Sequence, residues 1–593
     1  MRASSLPRTP AGLQSIAELA RRRRLAALVT GAIYVALLAW LGAIVLGGPW
    51  RIPGVAIFIC FAVAAPWSVL GVFNASAGFW LLHLRRDGLR DAAPFLDAAQ
   101  AQTPLVSRTA ILLTIRNEDA VRAISRLRAV KRSLDATPHG ELFDFFVLSD
   151  SDDAAIAAAE EAAFAAWRAD DSAGSKHLHY RRRLDNVGYK AGNIRDFCAR
   201  WRDTYEFMIP LDADSLMDGE TITQLVRVGE AFPKIGIVQS LVVGAPSQSA
   251  FTRLFQFGMR AGMRAYTMGA AWWAGDCGPF WGHNALVRVA PFARHCVLPT
   301  LKGDAHILSH DQIEAVLMRK AGYEVRVLPI ENGSYEENPP TLLDFLRRDL
   351  RWCEGNMQYV RLLAMPGIMP MSRFQLVWAV SMFVGAPAWT AIIVLGALMP
   401  LVADVSAFPA VSARAFYVLF LLTYLAPKLA GYLDAALTDG VVARHGGVVR
   451  FFIGALVEIA ASFIIGGVTT LNTGAFLIAL LAGKKIGWGA QQREAYGLSW
   501  RAATQALWPH LLFGVALLAL AGAARPALLL WSLPLTLGYV AAIPFAVASA
   551  SPWLGRLFLR LRLCAAPEEL DPPELLRVAA GPKSHSNHTN MSC

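Results

Sequence analysis

Charge is what this chain has least of. Of its 593 residues only 17% are Asp, Glu, Lys or Arg, while 55% are hydrophobic. That balance excludes an ordinary soluble globular protein, and the length leaves room for more than one domain. Cysteine is sparse and poorly spaced for metal: seven occur, an odd number, with none in a Cys-x-x-Cys pair. A zinc site or disulfide framework is therefore not expected, and the five from Cys198 to Cys564 suit a reducing cytosolic side. No short apolar stretch followed by a small-residue cleavage site is clear near the start, which argues against a cleaved signal peptide. The net charge of +11 does not imply nucleic acid. Much of the excess flanks apolar runs, where basic residues set membrane orientation, and no basic soluble face studded with aromatics is present.

Apolar residues concentrate in 25–83 and 374–550. A spanning helix needs about 20 apolar residues to cross about 30 Å of hydrocarbon. The stretches 25–47, 55–83, 380–402, 414–434, 508–524 and 527–550 satisfy this, and 451–483 is long for one crossing and short for two. Arg21–Arg24 precede the first span, and Arg85, Arg86 and Arg90 follow the second, while the loop between them holds only Arg51. The positive-inside rule then places the N-terminus and the middle of the chain in the cytoplasm. Lys484, Lys485, Arg493 and Arg501 make 484–505 a cytoplasmic loop, and "RLFLRLRL" (556–563) keeps the C-terminus on the same side. Cytoplasmic ends require an even number of crossings. Eight is the expectation, or six if 451–483 does not cross, with 371–383 and 473–483 lying along the interface. Lys428, Asp434 and Glu458 fall in or near apolar spans. Such charges face a bundle interior or an aqueous path, and Asp434 sits where snorkelling to the span end is expected.

The division is thus a basic segment 1–24, a transmembrane hairpin 25–84, a soluble domain 85–370, interfacial and transmembrane helices 371–550, and a tail 551–593. The soluble part alternates strand and helix. Strands are expected at "TAILLTI" (109–115), "LFDFFVLS" (142–149), "HLHYRRR", "YEFMIPL" and "IGIVQS" (235–240). Helices are expected at 118–134, at the alanine-rich 152–168 and at "KAGNIRDFCARW". The fold class is therefore α/β plus transmembrane α-helical, a Rossmann-like, mostly parallel sheet with helices on both faces, inserted between spans. Ligands bind at the carboxyl ends of such strands. Asp150 and Asp212 each follow a strand end, which aims both at one crevice.

Two carboxylates repel an anionic ligand by about 4 kcal/mol per pair at about 4 Å and an effective dielectric of about 20. A Mg²⁺ or Mn²⁺ ion bridging carboxylate and diphosphate reverses the sign, and hard oxygen ligands suit these metals. Asp212-Ala213-Asp214 alone is a weak signal. Asp214 before "SLMDGETITQLV", Asp311 before "QIEAVLMRKAG" and the acids of "NED" (117–119) can equally be helix caps. Order is what strengthens them: "NED", "SDS" (149–151), "YKAGN" (189–193), "LDADS" (211–215), "SHD" (309–311) and "RRDLRW" (347–352) follow one another inside a membrane frame.

That ordered set resembles the processive inverting glycosyltransferases of family 2, which share a GT-A-like catalytic domain and include cellulose, chitin and hyaluronan synthases. "FDFFVLSDS", "LDADSLM", "WGHNALVRV", "ILSHD", "GSYEENPP" and "RRDLRWCEGN" look more specifically like the glucans biosynthesis glucosyltransferase H family. The resemblance is strong over about 105–365 and looser through "GWGAQQRE" (487–494). It implies an inner-membrane enzyme, catalytic domain cytoplasmic, that polymerises glucose from UDP-glucose into a β-1,2-linked backbone of osmoregulated periplasmic glucans and exports it. It implies Mg²⁺ or Mn²⁺, contact with membrane lipid and the growing glucan, and a periplasmic glucan-processing partner and acyl carrier protein. By the same resemblance Asp150 holds the uracil or ribose, with Asn117 and Glu118 nearby; Lys190 and Asp212 meet the nucleotide; Asp214 ligates the metal, with Asp212 beside it. Asp311 is the general base, Arg348 and Arg351 are forks for the diphosphate, and Trp352 is a platform for the acceptor sugar. Trp488, Gln491 and Arg493 resemble a gating loop. Trp272, Trp273, Phe280 and Trp281 are candidates for the acceptor platform, with the apolar core as the plainer alternative. Another processive polysaccharide synthase is the nearest alternative function, and a non-enzymatic transporter a more distant one that leaves Asp311 and Trp352 without a role.

Overall fold

A computed structural model describes residues 13–301, 306–486 and 495–580. Eight strands form one mixed sheet: β1 Thr109–Ile115, β2 Phe143–Ser149, β3 Leu178–Arg182, β4 Phe207–Asp212, β5 Leu216–Met217, β6 Ile235–Gly244, β7 Ala285–Arg288 and β8 Glu324–Glu336. Their order is β3-β2-β1-β4-β7-β6-β8-β5. β3, β2, β1 and β4 run parallel, β7 is antiparallel to both β4 and β6, and β6 pairs parallel with β8. The strands alternate faces as a period of two requires. Ile111, Leu113, Phe145, Val147, Ile209 and Leu211 fill one core, while Ala110, Leu112, Phe146, Leu148 and Met208 fill the other. The five strands expected from sequence are present. β7 is only four residues long, too short to announce itself.

Helix starts follow capping chemistry. Asp119, Asp153 and Asp218 accept hydrogen bonds from the first-turn amides of the helices Ala120–Asp135, Ala154–Asp170 and Gly219–Ala231. Ser249 does the same for Ala250–Ala274, and Thr341 for Leu342–Met357. The helix Ala250–Ala274 docks on the spans: Trp273 Nε1 donates to Asn74 Oδ1 at 2.8 Å.

Six helices of the described residues are long and apolar enough to cross a membrane: Ile16–Val45, Arg51–His83, Pro370–Val402, Ala410–Leu437, Val448–Leu481 and Trp500–Ala524. The bent pair Pro526–Val540 and Ala542–Ala550, angled at 55°, raises the number to at most seven. The expected eight crossings are therefore not found. The reason is 451–483, which has no proline to break it and forms one continuous helix of 34 residues rather than two spans. Residues 371–383 and 473–483 likewise continue into long helices. The charges expected in or near the apolar spans are paired. Lys428 meets Glu458, which also accepts from Tyr432 and Ser462. Asp434 does not snorkel. It is 3% exposed and lies 2.8 Å from His83 Nε2 and 3.4 Å from Arg264.

The C-terminal segment returns to the sheet domain. Leu575 and Leu576 join the core beneath β1 and β2. Arg253, fully buried, pairs with Glu569, and Arg260 pairs with Glu568 at 2.6 Å and Glu331 at 2.7 Å.

Candidate active site

Three parallel strands end side by side. Ile115 lies in register with Ser149, and Thr114 with Asp212, so the loops 116–119, 150–153 and 213–215 leave one edge of the sheet together. The cap alternatives divide. In "NED" the helix reading holds for Asp119, which caps Ala120–Asp135, whereas after β2 and β4 the caps are Asp153 and Asp218, not Asp150 or Asp214. Asp311 is the first residue of the helix Asp311–Lys320, and the cap position belongs to His310.

At the β2 edge, Asp150 is 3% exposed. Arg183 Nε and Nη2 donate to its two oxygens at 2.8 and 2.7 Å, and Asn193 Nδ2 donates at 2.8 Å. A carboxylate expected to meet uracil or ribose thus spends most of its acceptor capacity inside the protein, because burying it requires a partnered charge. It anchors the segment 183–193, which carries Lys190. Asn117 adopts a left-handed backbone, φ 52°, which Asn tolerates. It binds the next loop three ways: its amide N donates to Ser151 Oγ at 2.7 Å, Nδ2 donates to Asp152 Oδ1 at 2.5 Å, and Oδ1 accepts from Asp153 N at 3.2 Å. Beneath lies Glu160, fully buried, which accepts from Ser149 and Ser151, and from Tyr180 at 3.1 Å.

At the β4 edge the Lys190 ammonium donates to Asp212. The loop 281–284, between the helix Ala250–Ala274 and β7, closes over this pair. Gln239 Oε1 accepts from Trp281 N at 2.9 Å, and its Nε2 donates to His283 O at 3.1 Å. Asn284 N donates to Pro210 O at 2.9 Å, and His283 Nδ1 lies 3.2 Å from Ser215 Oγ. Gly282 within that loop has φ +78°, and a Cβ built there would lie 3.3 Å from Asp311 Cβ and 3.7 Å from Lys190 Nζ. One glycine therefore marks the meeting point of Asp311, Lys190 and, through Lys190, Asp212. The sequence reading missed its role and that of Gln239. "WGHN" was visible as a motif, but nothing local told which of its residues touches what.

Burial raises the Asp311 carboxyl above its ordinary value, and nearby Glu314 adds to the rise against His310 and Lys190. His310 Nδ1 sits 3.0 Å from Glu314. Burial alone would lower that imidazole, but Glu314 and Asp311 carry it upward. The "SHD" loop is held from below: Tyr359 OH donates to Ser309 O at 2.8 Å, and Gln358 Oε1 accepts from Leu308 N at 2.8 Å.

"RRDLRW" occupies the helix Leu342–Met357. Trp352 is 45% exposed, as a platform needs. Arg351 lies within electrostatic reach of Glu118, which brings this helix to the β1 loop. Arg348 departs from the expectation of a diphosphate fork. It is buried, its guanidinium stacks 4.7 Å from the Trp352 ring and 5.7 Å from Phe255 and Phe345, and Nη1 donates to Asn338 Oδ1 at 3.3 Å. The other aromatics are largely core: Trp273 and Phe280 are buried, and Trp272 packs on Arg22 and Trp80. Trp488, Gln491 and Arg493 lie outside the described residues. The chain on either side of them docks on the same helix, Ile486 N donating to Glu354 and Tyr496 OH to Asp344, each at 2.8 Å.

Among the described residues no three His, Cys, Asp or Glu side chains gather as a metal centre. The carboxylates placed to hold a metal are Asp212, at the end of β4, and Asp214, two residues on. That set fits Mg²⁺ or Mn²⁺, which take one or two carboxylates and fill the remaining positions with water and phosphate oxygens.

The model of the family described as glycosyl transferase family group 2 matches residues 207–428, a stretch that includes Asp212, Asp214, Gly282, Asp311 and all of "RRDLRW". A glucans biosynthesis glucosyltransferase H from Xanthomonas euvesicatoria pv. vesicatoria is 35% identical over 535 residues, 87% of this chain and 82% of that one. The chain belongs to the glucans biosynthesis glucosyltransferase H family. A second glucosyltransferase H, from Caulobacter vibrioides, is 37% identical over 510 residues, covering 82% of this chain and 76% of the relative. Among solved structures, a mannosyltransferase from Pyrobaculum calidifontis in complex with GDP-Man and Mn²⁺ aligns with a TM-score of 0.37 at 14% identity, covering 63% of this chain and 99% of that one. As a glucosyltransferase H the protein couples a GT-A-like catalytic domain to membrane-spanning helices.

Proposed function

We propose that this glycosyltransferase transfers glucose from UDP-glucose to the end of a growing glucan with inversion, builds the β-1,2-linked backbone of osmoregulated periplasmic glucans, and passes the chain outward. The observation that carries the reading is the convergence of Asp311, Lys190 and Asp212 around Gly282. The donor and the linkage rest on family membership. The acceptor sugar stacks on Trp352, and its hydroxyl oxygen attacks the anomeric carbon. Asp311 takes its proton as the new C–O bond forms, and the bond to the diphosphate breaks on the opposite face, turning an α-linked donor into a β-linked product. Asp212 and Asp214 would hold Mg²⁺ or Mn²⁺, and the ion would supply charge neutralisation for the leaving diphosphate. Lys190 and Arg351 add fixed positive charge on the same side. Asp150 with Arg183 forms the floor on which the nucleotide rests, and Arg348 orients Trp352.

We read six crossings. Val448–Leu481 touches the catalytic side at both ends: Phe451 packs 5.5 Å from Phe257, and Thr473 Oγ1 donates to Asp349 at 3.2 Å. It lies along the cytoplasmic interface, and the bent pair 526–550 makes the last crossing. Arg23 near the start pairs with Asp276, and Glu569 near the end with Arg253, so both ends lie beside the catalytic domain and an even number follows.

The test is purified protein in lipid nanodiscs given radiolabelled UDP-sugars with and without Mg²⁺, followed by linkage analysis. Asp311→Asn loses glucose incorporation and retains UDP-glucose binding. Unchanged synthesis removes Asp311 as the base.

A further inference from the structure

An open hollow of about 590 Å³ lies between the end of β3 and the helix Tyr189–Trp201. Five arginines line it: Arg181, Arg182 and Arg183 from the strand end, Arg195 and Arg200 from the helix. Gly192 and Ala199 share that helix face and leave the space open. A Cβ at 192 would strike the Val187 carbonyl.

The charges here do not cancel. Asp196 meets Arg181 at 2.5 Å and Arg200 at 3.4 Å, and Asp150 holds Arg183 from behind. Arg182 and Arg195 have no carboxylate partner among the described residues. Burial lowers the Arg181 guanidinium below its ordinary value, and Arg200 and Arg183 add to the fall against Asp196. With Asp185 also in the wall, five arginines face three aspartates, an excess of two positive charges. A phosphate monoester carries about −1.5 to −2 at neutral pH, and guanidinium forks match its oxygens. Leu184 and Val187, 90% and 54% exposed, stand at the rim as apolar surface. The hollow sits at the β3 edge of the sheet, whereas the helix Ala250–Ala274, which docks on the spans, packs on β6 and β8 towards the other edge. That position favours a ligand from solution over a lipid headgroup.

We propose that this hollow binds a phosphate monoester from solution, its phosphate on Arg182, Arg195 and Arg200 and its organic part against Leu184 and Val187, and that occupancy tightens the donor site. Arg183 carries the coupling. Its Nη2 donates to Tyr189 O at 3.0 Å and its Nη1 to Val187 O at 3.3 Å, while the same guanidinium grips Asp150. A counter-charge beside it relieves the repulsion among Arg181, Arg183 and Arg200 and steadies the segment that places Lys190. The coupling rests on the proposed donor chemistry. The binding does not.

The experiment uses the full chain in nanodiscs, titrated calorimetrically with inorganic phosphate and with phenyl phosphate in metal-free buffer. Wild type binds both, phenyl phosphate more tightly. Arg195→Gln with Arg200→Gln, both on exposed positions, weakens each at least tenfold, since a hydrogen bond to a charged group is worth about that much. Arg195→Glu alone, which breaks no ion pair, does the same if the double variant fails to fold. Arg351→Gln, on the diphosphate side of the active site, leaves phosphate binding intact. With Mg²⁺ restored, phenyl phosphate lowers the wild-type KM for UDP-glucose about fivefold, and UDP-glucose tightens phenyl phosphate binding by the same factor, as linkage requires. The double variant loses that response and keeps the wild-type rate without phosphate. No heat in wild type, equal affinity in the double variant, or lost binding in Arg351→Gln overturns the site. A KM that does not move while phosphate still binds overturns the coupling. Phosphate affinity that vanishes when phosphatidylglycerol is added to the nanodisc overturns the soluble ligand. If the protein proves to use another nucleotide sugar, the phosphate titrations still decide the site.

Discussion

Replacing one hydrogen on Gly282 tests the assignment of the base without touching any charged group. Gly282→Ala places a methyl 3.3 Å from Asp311 Cβ, inside the optimal carbon–carbon separation of about 3.5–4.0 Å. Asp311 must retreat by a few tenths of an ångström. The backbone at φ +78° adds a left-handed penalty of roughly 1–2 kcal/mol for a residue with a Cβ. Misplacement of about 1 Å costs about a hundredfold in rate, so the retreat predicts a fall in kcat of roughly threefold to tenfold. UDP-glucose binding is nearly retained, and the melting temperature falls by a few degrees. The assay is initial-rate UDP release in nanodiscs, paired with equilibrium UDP-glucose binding and a thermal melt. A variant that melts lower but turns over at the wild-type rate shows that Asp311 does not act from this position. A variant that loses binding in proportion to rate shows that Gly282 serves the nucleotide instead.

The remaining predictions concern protons, buried pairs and the metal. The raised Asp311 carboxyl places the acid limb of the kcat profile above the ordinary aspartate value of 3.8. Activity is lost as pH falls through that limb, and a limb at the ordinary value refutes the buried base. Asp349, between the two arginines of the motif, is pushed up to about 6, chiefly by burial. The folded state then binds more protons than the unfolded state between the two values, so stability declines as pH rises through that window. Asp349→Asn is expected to be more stable than wild type at neutral pH, by at most about 3 kcal/mol, with the gain vanishing near pH 4 in denaturant titrations. Glu569→Gln leaves the fully buried Arg253 without its counter-charge and lowers stability by about 3–5 kcal/mol, read as a lower melting temperature; no change means that the pair is not formed. Chelation with EDTA abolishes incorporation, and Mn²⁺ or Mg²⁺ restores it in wild type but not in Asp214→Asn.

Much of this was legible before any coordinates. The apolar runs at β1, β2 and β4 and the acids that follow them are local signals, so the edge where those strands end was legible, whereas Asp311 follows none of them and was named as base by resemblance alone. Pairings between distant loops were not legible. Nothing near Asp150 announces Arg183, and nothing near Asp311 announces Gly282. β8, the longest strand at 13 residues, was missed although "EVRV" alternates, because "ENGS" within it reads as a turn. Whether 451–483 crosses was left open between six and eight, because hydropathy measures length and apolarity, not direction. A helix lying along a membrane and one passing through it share both. Arg348 was read by motif as a phosphate fork, but its position on the helix turns it toward Phe255, Phe345 and Trp352.

One feature of the chain's far end bears on how the molecule is made. Leu575 and Leu576 belong to the same core as Ile111, Val147 and Ile209, yet they are synthesised after every apolar helix has been delivered to the bilayer. Until that last stretch is made, the helix Ala120–Asp135 lacks the packing of Leu575 and Leu576 and Arg253 is without its carboxylate. The last contacts of this core therefore form only after the apolar helices of the described residues have been made.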